Sequence, residues 1–314
     1  MYQTDEKRPE CHACTIVELP SGDLYGAWYA GSREGETDVA VLGARYRKAE
    51  GKWEPAVVLA DTPGEPEGNP VLFVSPGGRL WLFFVTIRQD GWRGAQLRAM
   101  STVDEGLTWT KIVDFDHEPL GTMPRNKPII LGERVLLPLY DETTWRGFIY
   151  ISDDDCQSWH RSGFIESDGG CIQPTLIPRN DGTILALLRD RQKRYVLQSI
   201  SEDRGETWSF CEPTSLPNPN SGVDAVRLAS GKVVIAYNDS CEKRTPMSVG
   251  VSDDEGRTWT RKVDVETDEA EFSYPAIIQA SDGLIHLAYT WRRKGIAHLV
   301  FDEEWLEANA KPIG

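Results

Sequence analysis

An all-β fold, a six-bladed β-propeller, is what this 314-residue sequence predicts, on three observations. The first is an eight-residue motif, Ser-x-Asp-x-Gly-x-Thr-Trp. It is complete at Ser252–Trp259 and Ser201–Trp208, lacks only the opening Ser at Thr102–Trp109, and is weaker at Ser152–Trp159. Its tryptophans, at 109, 159, 208 and 259, are spaced by 50, 49 and 51 residues, a period that marks a stacked or radial repeat. The second is a series of six short β-rich hairpins with Gly turns between the motifs. The third is the lack of any 12-residue helical period, apart from a candidate near Glu303–Ala308.

The hairpins run in order. They are His12–Leu19 with Leu24–Tyr29, Asn69–Phe73 with Leu80–Phe84, and Lys127–Leu131 with Val135–Tyr140. Then come Gln173–Ile177 with Ile184–Arg189, Val223–Leu228 with Val233–Asn238, and Tyr274–Ile278 with Leu284–Tyr289. Their apolar runs are nearly continuous, as in strands covered on both faces. A more polar strand pair follows each, with the motif in its turn. There Asp and Ser bond nearby backbone, Gly supplies positive φ, and the Trp folds back between neighbouring units. Six four-stranded units closing in a ring leave only short sheet edges. One domain, 1–314, is expected, with blades near 10–60, 66–112, 123–162, 170–211, 220–262 and 272–302. The N-terminal segment is expected to close the last blade.

A net charge of −15 argues against nucleic acid and anionic membrane surfaces as partners. No apolar run is long enough to span a bilayer. The N-terminal residues 1–8 lack an apolar signal core, which gives a cytoplasmic expectation. Cys11 and Cys14 have a CxxC spacing but no second ligand pair. The six cysteines read as buried free thiols, with no metal or cofactor expected.

The first strand of each propeller blade lines the axis, so residues opening those strands converge. Here they are His12, Asn69, Arg125 with Asn126 and Lys127, Gln173, Asn220 with Asp224, and Tyr274. Past the second strands stand Arg33, Arg88, Asp141, Glu142, Arg189, Asp190, Arg191, Asp239 and Arg292. Guanidinium forks suit bidentate capture of a carboxylate or sulfate, so an anionic small molecule such as an acidic sugar is the expected ligand. The plainer alternative is surface salt bridging with Asp190, Glu34 or Glu142. His117, His160, His286 and His298 read as structural or exposed.

In these motifs the chain resembles the sialidase (neuraminidase) superfamily, with its Asp-box turns, over essentially its whole length. That resemblance implies a glycoside-cleaving enzyme with three carboxylate-binding arginines, a tyrosine nucleophile helped by a glutamate, and an aspartate acid/base. Arg189 matches the second arginine, Arg244 stands where the third is expected, and Tyr274 matches the nucleophile. Asp38 lies in the loop of the acid/base, with Glu34 and Glu36 as rivals and Arg33 as a further clamp residue. Two positions depart from the pattern: His12 stands in place of the first arginine, and Gln173 in place of the glutamate. His12 and Tyr274 open neighbouring blades across the ring closure. Such a pair suits proton transfer, hence β-elimination at a uronic acid by a lyase. A non-catalytic propeller that binds carbohydrate or protein is the third reading.

Overall fold

The computed structural model describes residues 1–115 and 118–313, so His117 lies outside the described residues. Six antiparallel sheets form the six-bladed propeller, the fold class expected from the repeats. Blade one runs Glu10–Glu18, Leu24–Gly31, Ala40–Arg47, with Lys52–Trp53 and Val57–Ala60 sharing its outer edge. Blade two is Glu67–Val74, Leu80–Ile87, Ala95–Thr102 and Val113–Asp114. Blade four is Cys171–Pro178, Ile184–Asp190, Tyr195–Ser201 and Glu212–Pro217.

Blade three differs from the hairpin read in the sequence. Its innermost strand is broken into Thr122–Pro124 and Ile129–Leu131, both paired with Arg134–Asp141, before Arg146–Ser152 and His160–Arg161. Pro128, in the gap, has no N–H to give the ladder. Blade five is Asp224–Arg227, Val233–Asn238, Met247–Ser252 and Arg261–Glu266. Lys311–Pro312 adds a fifth strand beyond a short helix, Glu303–Asn309, whose N-cap Asp302 accepts from the Trp305 N–H. Blade six is Phe272–Gln279, Ile285–Trp291 and Gly295–Phe301. Its outermost strand, Tyr2–Gln3, comes from the start of the chain and pairs with Gly295 and Ile296.

Both faces of each sheet are apolar because each interblade gap holds its own core. Tyr25, Ala27 and Val41 of blade one pack on Leu72, Leu82 and Phe84 of blade two, and five comparable clusters follow around the ring. Burial of each such large side chain stabilises the fold by about 1.5–3 kcal/mol.

The Asp-box turns lock onto these gaps. Asp254 accepts from the Thr258 N–H at 2.8 Å and its hydroxyl at 2.7 Å, while Ser252 Oγ donates to Asp254 and accepts from the Gly256 N–H. Gly256 sits at φ +79°, where a Cβ would stand 2.6 Å from Leu185 of blade four. Trp259 buries its ring in the same gap.

The innermost strands carry the feature that builds the site. In blades one, two, four and six the register shifts at one bulge, where a non-glycine residue takes positive φ. These residues are Ala13 (52°), Asn69 (44°), Gln173 (59°) and Tyr274 (52°). Asn220 (62°) does the same just before blade five. A bulge re-aims a side chain, at a backbone cost of roughly 1–3 kcal/mol each. Three of the five precede a proline (Pro70, Pro174, Pro275), whose missing N–H already forfeits a ladder bond there.

Candidate functional site

The bulges open one end of the axis into a cavity of about 150 Å³ to which every blade contributes. Blade one brings His12, Tyr29 and Glu34, blade two Asn69 and Trp92, and blade three Tyr140 and Glu142. Blade four brings Ile172, Gln173 and Arg189, blade five Arg244, and blade six Tyr274 and Arg293. Larger hollows of about 440 and 370 Å³ lie at the periphery around Trp81 and Trp159 and around Tyr25 and Trp109. Their linings are the ends of the interblade cores and gather few groups able to do chemistry.

Tyr274 is the centre of the cavity. Its phenol oxygen accepts from Arg189 Nη1 at 3.0 Å, and the His12 ring lies against it with centroids 4.4 Å apart. The guanidinium of Arg125 stands 4.8 Å from the ring centroid, and that of Arg244 5.5 Å. Burial opposes ionisation of this phenol, but Arg189, Arg244 and the Gln173 hydrogen bond outweigh it, so its pKa falls below the ordinary 10. The opposite holds for Tyr29 and Tyr140, which burial keeps firmly protonated. Burial, with help from Arg293, Arg244, Arg125 and Arg189, holds the pKa of His12 well below 6.5. Its imidazole is therefore neutral, and its Nδ1 has no partner among the described residues.

The arginines are not equivalent. Glu271 is shared, one oxygen accepting from Arg244 at 2.8 Å and the other from Arg293 at 3.0 Å, and Arg293 also binds Glu34. Those two carboxylates offset two guanidinium charges. Among the described residues Arg189 has no carboxylate partner: its Nε donates to Asn220 and its Nη1 to Tyr274 and, at 3.4 Å, to Gln173. The positive charge open to a ligand is thus concentrated beside the Tyr274 oxygen. Gln173 also reaches the Tyr140 hydroxyl at 3.4 Å, and Asn69 donates to it at 3.0 Å.

Of the residues singled out in the sequence, His12, Glu34, Asn69, Glu142, Gln173, Arg189, Arg244 and Tyr274 line this cavity, and Asn220 reaches it through Arg189. The others lie elsewhere. Arg33 is 72% exposed and pairs with Glu36, while Asp38 turns back to accept from the Ser32 N–H and hydroxyl. Arg125 is buried beneath Tyr274, donating to the carbonyls of Cys14 and Pro275. Lys127 spends all three N–H groups, on both Asp224 oxygens and the Ala225 carbonyl, each at 2.8 Å. Asp224 also accepts from Thr175 Oγ1 and the Ile277 N–H. This pair pins blades three, four, five and six together and has no capacity left for a ligand. Asp190 caps its own loop through the N–H groups of Gln192 and Arg194.

Sequence reasoning passed over Arg293, Glu271, Tyr29, Tyr140 and Trp92, and named Glu142 only among the polar residues past the second strands and as a salt-bridge partner. For Arg293 the signal was the tandem Arg292-Arg293 after the second strand of blade six. Both have positive φ, and the turn sends Arg292 out to Asp268 and Arg293 inward. Among the described residues no cluster of His, Cys, Asp and Glu could hold a metal ion, and no helix is long and apolar enough to cross a membrane. Cys11, Cys14, Cys156, Cys171 and Cys211 are buried free thiols, and Cys241 is exposed.

The family model described as BNR repeat-like domain matches residues 22–287. The chain belongs to the BNR repeat-like domain family. Solved structures share the fold of this BNR repeat-like propeller at low identity. The Hadza microbial sialidase Hz136 superposes with a TM-score of 0.82 at 17% identity, over 95% of this chain and 66% of that one, slightly under two thirds of its length. The intramolecular trans-sialidase from Ruminococcus gnavus, in complex with oseltamivir carboxylate, gives 0.80 at 14%, over 98% and 97%. The NanB sialidase from Streptococcus pneumoniae gives 0.81 at 12%, over 97% and 70%. No curated protein matches the sequence.

Proposed function

We propose that this propeller cleaves a glycoside of an acidic sugar. Arg189 holds the sugar's carboxylate, with Arg244 and Arg293 alongside, and the Tyr274 phenolate attacks the anomeric carbon. The observation that carries this reading is the 3.0 Å contact between Arg189 and the Tyr274 oxygen, inside a cavity walled by three guanidinium groups. A carboxylate on Arg189 would hold the sugar against the tyrosine, which is the positioning that nucleophilic catalysis requires. Glu34 and Glu271 engage Arg244 and Arg293, which leaves Arg189 as the guanidinium whose charge faces a ligand.

Gln173 is an amide and takes no proton from the phenol, so it can aid ionisation of Tyr274 only by hydrogen bonding, beside the larger effect of Arg189 and Arg244. The names of the sialidases that share the fold fit this chemistry. A panel of fluorogenic glycosides of hexuronic and nonulosonic acids tests it. Wild-type protein should release fluorophore from at least one, and Tyr274→Phe should abolish the release. A panel giving no turnover, or a fully active Tyr274→Phe, would refute the reading.

One observation favours a second reading. The neutral His12 ring packs 4.4 Å from Tyr274, suited to taking a proton α to a uronate carboxylate while the tyrosine protonates the leaving oxygen. That reaction is an elimination: it yields an unsaturated uronide and takes no oxygen from ¹⁸O-labelled water, whereas hydrolysis incorporates it.

A further inference from the structure

Cleavage at Tyr274 needs a proton donor for the departing oxygen, and Asp38, bonded to Ser32, lies outside the cavity. Two other carboxyls line it, Glu34 and Glu142. Glu34 is engaged by Arg293. No described residue donates a hydrogen bond to the Glu142 carboxyl, on which only burial and nearby charges act.

Its backbone, by contrast, is tightly held. The Glu142 N–H donates to the Gly121 carbonyl at 2.9 Å, and the Trp145 N–H to the Asp141 carbonyl at 2.8 Å. The Asp141 carboxylate accepts from the Thr143 N–H at 2.7 Å and from the Thr144 hydroxyl at 2.6 Å. The turn thus fixes where the Glu142 backbone stands, and its carboxyl lines the cavity without a hydrogen-bond partner among the described residues. A carboxyl so placed is free to give its proton to an oxygen of a ligand in the cavity.

We propose that Glu142, at the edge of blade three, is the catalytic acid that protonates the leaving oxygen, the role the sequence resemblance assigned to Asp38 in the blade-one loop. This rests on the cleavage reading above. In the first step the Tyr274 phenolate supplies the electron pair of a new bond to the anomeric carbon. The glycosidic C–O bond breaks, its pair goes to the leaving oxygen, and that oxygen takes the Glu142 proton. In the second step the Glu142 carboxylate takes a proton from water as the water oxygen attacks the anomeric carbon, and the phenolate departs. Both residues return to their starting states.

The charged groups around Glu142 agree with this. Burial raises its pKa above the ordinary carboxyl value, Arg189 and Arg93 pull it down, Asp141 pushes it up and Arg191 pulls it down, and the rise prevails. Glu34 and the Tyr140 and Tyr274 phenols line the same cavity.

The test compares wild type with Glu142→Gln, checked for an unchanged melting temperature, on two glycosides of the same acidic sugar. One bears a nitrophenolate that leaves without a proton, the other an alkyl alcohol that needs one. Glu142→Gln should lower kcat/KM on the alkyl glycoside by about 100-fold or more and on the nitrophenyl glycoside by less than about 10-fold, and should flatten the alkaline limb of the pH profile. Equal losses on both substrates, no loss on either, or the same split in Glu34→Gln instead would overturn the assignment while leaving cleavage intact. A wild type that cleaves neither substrate refutes the cleavage reading, and the assignment with it.

Discussion

Asp224→Asn decides whether the polar residues deep in the axis bind ligand or hold the ring together. In the native protein the Lys127 side chain is 18% exposed and that of Asp224 2%, with N–O distances of 2.8 Å to both carboxylate oxygens. Removing one partner of such a pair leaves a buried charge uncompensated, at a cost of about 3–5 kcal/mol. Unfolding entropy of about 2.1 cal/mol/K per residue implies about 0.66 kcal/mol/K for a chain of 314 residues, so the melting temperature should fall by about 5–8 °C. Scanning calorimetry measures this directly. The double variant Lys127→Met/Asp224→Asn should recover part of the loss, because it removes the stranded charge. A melting point within about 1 °C of wild type, with weakened binding of an acidic sugar, would refute the argument and return Asp224 to the ligand site.

Four other outcomes are expected. Arg189→Lys keeps the charge but cannot make the Asn220 and Tyr274 bonds together; calorimetric affinity for an acidic sugar should drop by about 10- to 150-fold, equivalent to 1.5–3 kcal/mol. In the same variant set, ultraviolet difference titration should find one tyrosine ionising below the ordinary 10. Arg189→Met should move it back up, and a wild type without an early-titrating tyrosine would contradict the charge arrangement.

His298 gives a pH effect on stability. Trp53 can only donate, so His298 Nδ1 accepts from it and the protonated Nε2 faces His286 Nδ1 at 3.0 Å. Burial, then His286, hold its pKa down to about 3. The unfolded chain binds a proton near 6.5 and the native state does not. Stability present above that pH is therefore lost on acidification from 6.5 towards 3, by up to about 1.4 kcal/mol per pH unit, and urea denaturation of His298→Gln should show a shallower slope. Finally, Trp259→Ala empties the gap between blades four and five and should cost about 3–5 kcal/mol in denaturant melts without altering ligand affinity.

Part of the site was legible because the propeller converts sequence position into spatial position. His12, Asn69, Gln173 and Tyr274 open equivalent strands and do meet at one cavity. The same rule applied to Lys127 and Asp224 led to the wrong depth, since their charges are spent on each other and on the blades around them. In the blade-one loop Asp38 was preferred to Glu34, but Asp38 bonds Ser32 while Glu34 meets Arg293 of blade six, a partner 259 residues away. Spacing along the chain carries no signal for that contact.

The repeat alone determined the blade count and the Asp-box turns, because Ser, Asp, Gly and Thr act on backbone within a few residues of themselves. Alternating apolar strands and Gly turns are likewise local. Which guanidinium remains free, which phenol ionises and which carboxyl faces the cavity were decided only by the closed ring. Each depends on charges and burial supplied by blades far apart in sequence, and on bulges whose direction is set by what packs against them.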